Sequence, residues 1–161
     1  MKRLWKTMIK RLIPLLALAA IFYRVLEKKK KEISEYKNMS DKHFELFMLM
    51  NQWVKVKLRK KSIVSYLEER GFRNIAIYGL SYAGDALVEE LQDSNICICY
   101  GIDKQAEFIY QDFDVISPDM DLRKVDAVIV TTVMFFDEIK EQLKKKMDCP
   151  IISLENILYG M

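Results

Sequence analysis

Histidine is almost missing from this chain: His43 is the only one in 161 residues. That scarcity removes two chemistries. The stretch Gly79-Leu80-Ser81-Tyr82-Ala83 nearly matches the G-x-S-x-G elbow of serine hydrolases. An elbow serine needs a histidine further along the chain as its base, and none follows residue 43. A zinc site needs about four ligands, and no histidine lies near the cysteines to complete a set. Cysteine is scarce too, with only Cys97, Cys99 and Cys149. An odd count does not make a disulfide framework. Cys97 and Cys99 alternate with isoleucines in "NICICYGID", so all three are expected as small buried hydrophobes in a reducing compartment. His43, among Phe and Met residues and without a partner motif, is expected to be structural or on the surface.

A long apolar run is also missing. The longest, Leu12 to Tyr23, has twelve residues before Arg24 interrupts it. A membrane span needs roughly 20. The charge around that run is nevertheless distinctive. Residues 1–37 hold eleven Lys or Arg against three Glu, a net of +8, whereas residues 38–161 are net −5. An acidic main domain without a basic stripe argues against nucleic acid as ligand.

The basic excess has a pattern. Leu4, Trp5, Met8, Ile9, Leu12 and Ile13 recur at helical spacing, with Lys2, Arg3, Lys6, Lys10 and Arg11 opposite. Such a helix lies on anionic membranes. Snorkelling of Arg24 and Lys28 would lengthen the apolar segment, leaving open whether residues 12–26 span the membrane or lie on it. A signal peptide has similar charge and apolar length, but no small-residue cleavage site follows the apolar core. The competing reading is a long soluble helix that packs on a partner or on a second copy of the chain. The sequence is thus expected to divide into a membrane-associating helix and linker (1–37), a helical lead-in (38–72) and an α/β domain (73–161). In the lead-in, Ser40 and Ser62 are candidate helix caps, and Gly71 is placed to end the second helix.

From Asn74 the pattern changes. "NIAIYG", "NICICYGID", "DVIS", "DAVIVTT" and "PIISL" are short β-rich runs. "YAGDALVEELQD" and "FFDEIKEQLKKK" are amphipathic helices between them. Continuous Val/Ile strands separated by helices predict a parallel sheet covered on both faces. The fold class is therefore α/β: a single Rossmann-like parallel sheet of order 3-2-1-4-5, preceded by N-terminal helices.

In that fold the first strand-to-helix turn faces the ligand. Here it is Gly79-Leu80-Ser81-Tyr82-Ala83-Gly84. Against G-x-G-x-x-G the first and third glycines match, and Ser81 replaces the second. The turn and the helix start would cradle a phosphate through Gly79, Leu80, Ser81, Tyr82 and Gly84, although Asp85 in the first helical turn would repel one if it pointed inward. Asp103 ends the second strand, where a ribose-binding acid belongs, with Lys104 beside it. Thr131 and Thr132 end the fourth strand on the same rim and are candidate hydrogen-bonding groups. The competing reading is that Asp103 and the threonines only cap loops. Tyr100 and Lys104 share the Tyr-x-x-x-Lys spacing of short-chain dehydrogenases but straddle a strand end, so the match is taken as chance.

The run "NIAIYGLSYAGDALVEEL…YGIDK…VDAVIVTTVMFFDEIKEQL…CPIISLENILY", with "SDKHFELFMLMNQWVKVK" before it, resembles the small Rossmann-like proteins of Gram-positive capsule and cell-surface polysaccharide gene clusters. The resemblance covers roughly residues 39–161. It implies a bacterial NAD(P)-binding-type fold that takes NAD or a nucleotide-sugar and serves polysaccharide biosynthesis beside its enzymes. The cysteines in a reducing compartment and the basic arm set the expected location at the cytoplasmic face of the membrane. Two other functions remain open. One is a non-catalytic interaction module with a degenerate site. The other is a sugar oxidoreductase or epimerase, which the lack of a second domain disfavours.

Overall fold

A computed structural model describes the backbone of residues 2–161, with the side chains of Leu18 and residues 20–161. The amphipathic pattern expected over Leu4–Ile13 lies outside the described side chains. The chain forms two compact units, Met1–His43 and Phe44–Met161.

The first unit is the N-terminal part of helix α1 (Lys2–Leu58). No glycine or proline occurs between residues 15 and 70, so nothing breaks the helix at the polar run or at Ser40. Ser40 therefore lies within α1 and caps nothing. The lysine run 28–31 is helical beside acids one turn away. Lys29–Glu32, Lys30–Glu27 and Lys31–Glu35 pair at 2.9, 3.6 and 3.9 Å. Leu18, Phe22, Ile33 and Tyr36 are exposed. Among the described residues no helix is long and apolar enough to cross a membrane.

In the second unit, α1 ends at Leu58 and the chain reverses at Lys60, which takes a left-handed φ of 57°. Ser62 caps α2 (Ile63–Glu69), its hydroxyl accepting from the Val64 N–H at 3.1 Å. Gly71, at φ 74°, follows α2 as the sequence predicts. Five parallel strands then form one sheet of order β3-β2-β1-β4-β5: β1 (Asn74–Tyr78), β2 (Cys97–Ile102), β3 (Val115–Ile116), β4 (Ala127–Val130) and β5 (Ile151–Ser153). This is the predicted order. Both faces are covered, which is why β1 and β4 are continuous apolar runs.

Alternation divides the strands between two cores. Ile75, Ile77, Ala127 and Ile129 pack with the end of α1, α2, α3 (Tyr82–Leu91) and α5 (Leu154–Tyr159). Ala76, Tyr78, Tyr100, Ile102, Val128 and Val130 pack with α4 (Phe136–Leu143). The link from β2 to β3 contains only the 3₁₀ turn Ala106–Phe108, and residues 117–126 connect β3 to β4 without a helix. Two expectations change here. The fifth strand stops at Ser153, because Leu154, Ile157 and Leu158 form a buried i, i+3, i+4 stripe and start a helix. Cys97 is exposed and Cys99 and Cys149 are half-buried, because all three lie at strand starts and in a loop away from the sheet centre.

Candidate functional site

The glycine turn sits at the C-terminal rim of the sheet, between β1 and α3. Gly79 takes φ 91°, a left-handed conformation that glycine adopts without strain. A side chain there would also meet the Thr132 and Thr131 hydroxyls at 2.7 and 2.8 Å. A methyl group on Gly84 would overlap the Gly79 carbonyl oxygen, so the start of α3 rests directly on the turn. These are the roles of the first and third glycines of a dinucleotide-binding fingerprint.

The turn is tied to both neighbouring strands. The Gly79 N–H donates to the Ile102 carbonyl at 2.9 Å. The Thr131 hydroxyl donates to the Gly79 carbonyl at 2.6 Å and lies 3.2 Å from the Tyr78 carbonyl. Thr131 is buried, and its one proton is committed to β1 and the turn. Thr132 is half-buried over Gly79.

Asp103 lies beside the turn, as its sequence position predicts. Its Oδ2 accepts from the Leu80 N–H and its Oδ1 from the Gln105 N–H, both at 2.9 Å. It is half-exposed, and each oxygen retains a lone pair for a further donor. Lys104 next to it is exposed. Leu80 is no ligand-facing residue in its side chain: that side chain is buried against Gly101 of β2.

What the turn leaves open is the start of α3. Ser81 is the N-cap, yet its hydroxyl makes no capping hydrogen bond, and both Ser81 and Tyr82 are exposed. Among the described residues no side chain caps the N–H groups of the first helical turn. Asp85, in that turn, is exposed and accepts from Gln111 Nε2 at 3.2 Å. The arrangement offers helix-end donors, a serine hydroxyl and a carboxylate on the adjoining strand. It suits a phosphate next to a hydroxyl-bearing group.

The other candidates are dispersed. Tyr100 lies in β2 with its hydroxyl donating to the Arg123 carbonyl at 2.7 Å. Burial pushes its pKa up to about 12. It forms no helical pair with Lys104. His43 is exposed on α1. Among the described residues no group of His, Cys, Asp or Glu could hold a metal ion. One polar group escaped the sequence reading altogether, the buried hydroxyl of Tyr78. The alternation of β1 placed it opposite Ile75 and Ile77, but sequence carries no signal for a hydroxyl left without a partner.

No protein-family model, curated protein or solved structure matches the chain.

Proposed function

We propose that the chain is a membrane-associated, Rossmann-like nucleotide-binding protein serving cell-surface polysaccharide biosynthesis, with NAD or a nucleotide-sugar as its ligand. The observation that carries the binding reading is the uncapped start of α3, seated on Gly79 through Gly84 with Asp103 alongside. Phosphate would lie on the helix-end N–H groups and the Ser81 hydroxyl, and ribose against the free lone pairs of Asp103. The biosynthetic role rests on the sequence resemblance, and the membrane on the basic, apolar arm.

A second reading has its own support. The Leu80 N–H is occupied by Asp103, and the Thr131 hydroxyl by Gly79. A turn so satisfied within the fold also suits a non-catalytic interaction module.

Titration calorimetry of the full chain against NAD, NADP and UDP-sugars separates the two. Tyr82→Pro is the informative variant. Tyr82 is the first residue of α3 and 74% exposed, and Ser81 before it is extended at φ −110°, ψ −160°. Proline is tolerated there and removes one N–H. Losing a hydrogen bond to a charged phosphate should weaken binding roughly ten- to a hundred-fold with thermal stability unchanged. Absence of nucleotide binding by the wild type at millimolar concentration would hand the lead to the interaction module.

A further inference from the structure

In the second unit, helix α1 is apolar on two sides. Leu49, Trp53 and Val56 enter that unit's core. Phe44, Phe47, Val54 and Leu58 lie on the opposite side and are 61, 64, 57 and 78% exposed. A helix with apolar residues all round is covered on every side, and an exposed stripe of this kind marks a contact surface.

The spacing says what covers it. Phe44, Phe47, Asn51, Val54 and Leu58 follow steps of 3, 4, 3 and 4, the a and d positions of a heptad. Asn51, half-buried and at an a position, is the one polar member. A lipid surface would strand its amide in hydrocarbon. A second copy in parallel order would instead set Asn51 against Asn51, where an amide N–H of one donates to the carbonyl of the other. Met50 and Lys55, the g and e positions that adjoin in that order, bring no like charges together. Removing the stripes of two copies from water buries on the order of 1,000 Å², the size at which a specific interface begins.

The first unit, taken by itself, repeats the pattern. Phe22, Leu26, Ile33 and Tyr36 are exposed at steps of 4, 7 and 3. Lys29 falls at the d position inside the longest step and pairs with Glu32 Oε2 at 2.9 Å. Glu32 and Lys37 take the g and e positions beside this seam, so parallel copies place opposite charges against each other. We infer that α1 pairs with α1 of a second copy as a parallel two-stranded coiled coil, seamed through residues 44–58 with Asn51 facing Asn51. The inference is independent of nucleotide binding at the glycine turn.

The test is cross-linking of the full chain with a short bis-maleimide at micromolar concentration, with wild type giving the background from its own cysteines. Phe44→Cys and Val54→Cys, each made alone, should both link to a dimer well above that background. An antiparallel pair brings at most one of the two positions near its own copy. Asp93→Cys, exposed beyond the end of α3, should stay at background. Phe47→Glu added to Val54→Cys sets two carboxylates in one d layer and should cut the link roughly ten-fold or more. Because Phe47 is exposed, tryptophan emission should stay native in that variant. Asn51→Asp added to Val54→Cys is nearly isosteric and should also weaken the link. Four results would each overturn the inference: background linking at position 44 or 54, a link unchanged by Phe47→Glu, a link unchanged by Asn51→Asp, or a link abolished by phosphatidylglycerol vesicles, which would give the stripe to lipid.

Discussion

The indole N–H of Trp53 donates to Glu90 Oε2 at 2.6 Å, joining the end of α1 to α3. Glu90 Oε1 accepts from the Ile63 N–H at 3.0 Å and pairs with Lys57 at 2.7 Å, with the Ser62 hydroxyl at 3.4 Å. One carboxylate, 6% exposed, therefore gathers α1, the start of α2 and α3. The acid at the beginning of α2 also complements the positive end of that helix.

Glu90→Ala should destabilise the protein by about 2–4 kcal/mol. It strands the buried Trp53 and Ile63 donors and the Lys57 charge. Urea unfolding followed by tryptophan fluorescence measures it. Glu89→Ala, one residue away and exposed, is the control and should change stability little. Equal effects from the two would show that the carboxylate hub is not holding the helices.

Gly84 and Gly71 should respond differently to alanine. At Gly84 the obstacle is the Gly79 backbone, which does not rotate away, so Gly84→Ala should cost about 1–3 kcal/mol and shift the turn. At Gly71 nothing lies within 4 Å, and only its left-handed φ of 74° resists. Gly71→Ala should cost about 1–2 kcal/mol and leave ligand binding untouched. Calorimetry on both variants decides whether the turn geometry carries the binding.

Asp126 supplies an acid-sensitive contact. Its Oδ2 accepts from the Asn74 N–H at 2.7 Å and the Arg73 N–H at 2.9 Å, where β1 begins. The Asn74 bond, then the Arg73 bond, hold its carboxyl below the ordinary range. A depressed folded pKa means that the stabilisation is full above the unfolded value, about 4. It fades as pH falls through the lower folded value. Asp126→Asn should therefore be less stable than wild type at neutral pH, and the gap should close below about pH 4. A gap independent of pH would show that the charge is not what matters.

The arm should direct the protein to anionic lipid. In flotation with phosphatidylglycerol vesicles, the full chain should rise with the lipid, and a chain lacking residues 1–37 should stay behind. Phosphatidylcholine vesicles should capture less, and high salt should weaken the anionic capture, as expected for a segment of net charge +8. Equal behaviour of the two chains would refute the membrane reading.

Much of the α/β unit was legible in the residues themselves. Runs such as "NIAIYG" and "DAVIVTT" are local statements about burial on both faces, and the helical periods between them force parallel crossovers. The order β3-β2-β1-β4-β5 is the one expected of a Rossmann-like sheet, although the β2–β3 and β3–β4 links hold no α-helix. Gly79, Gly84, Ser62 and Gly71 were equally readable, because a turn or cap depends on backbone within a few residues. Other features needed the assembled fold. Helix α5 is six residues long, with its apolar side defined only by the core it meets. That the Asp103 carboxylate reaches the Leu80 N–H depends on the lateral pairing of β2 with β1. Glu90 looks like any surface acid until three helices converge on it. Among the described residues the Tyr78 hydroxyl is without a partner only because of what packs around it. Sequence determined most of the elements and the class of sheet because those arise from local stereochemistry and burial period. Tertiary structure alone decided which polar atoms meet, because hydrogen bonding is settled over a few ångströms between residues distant in the chain.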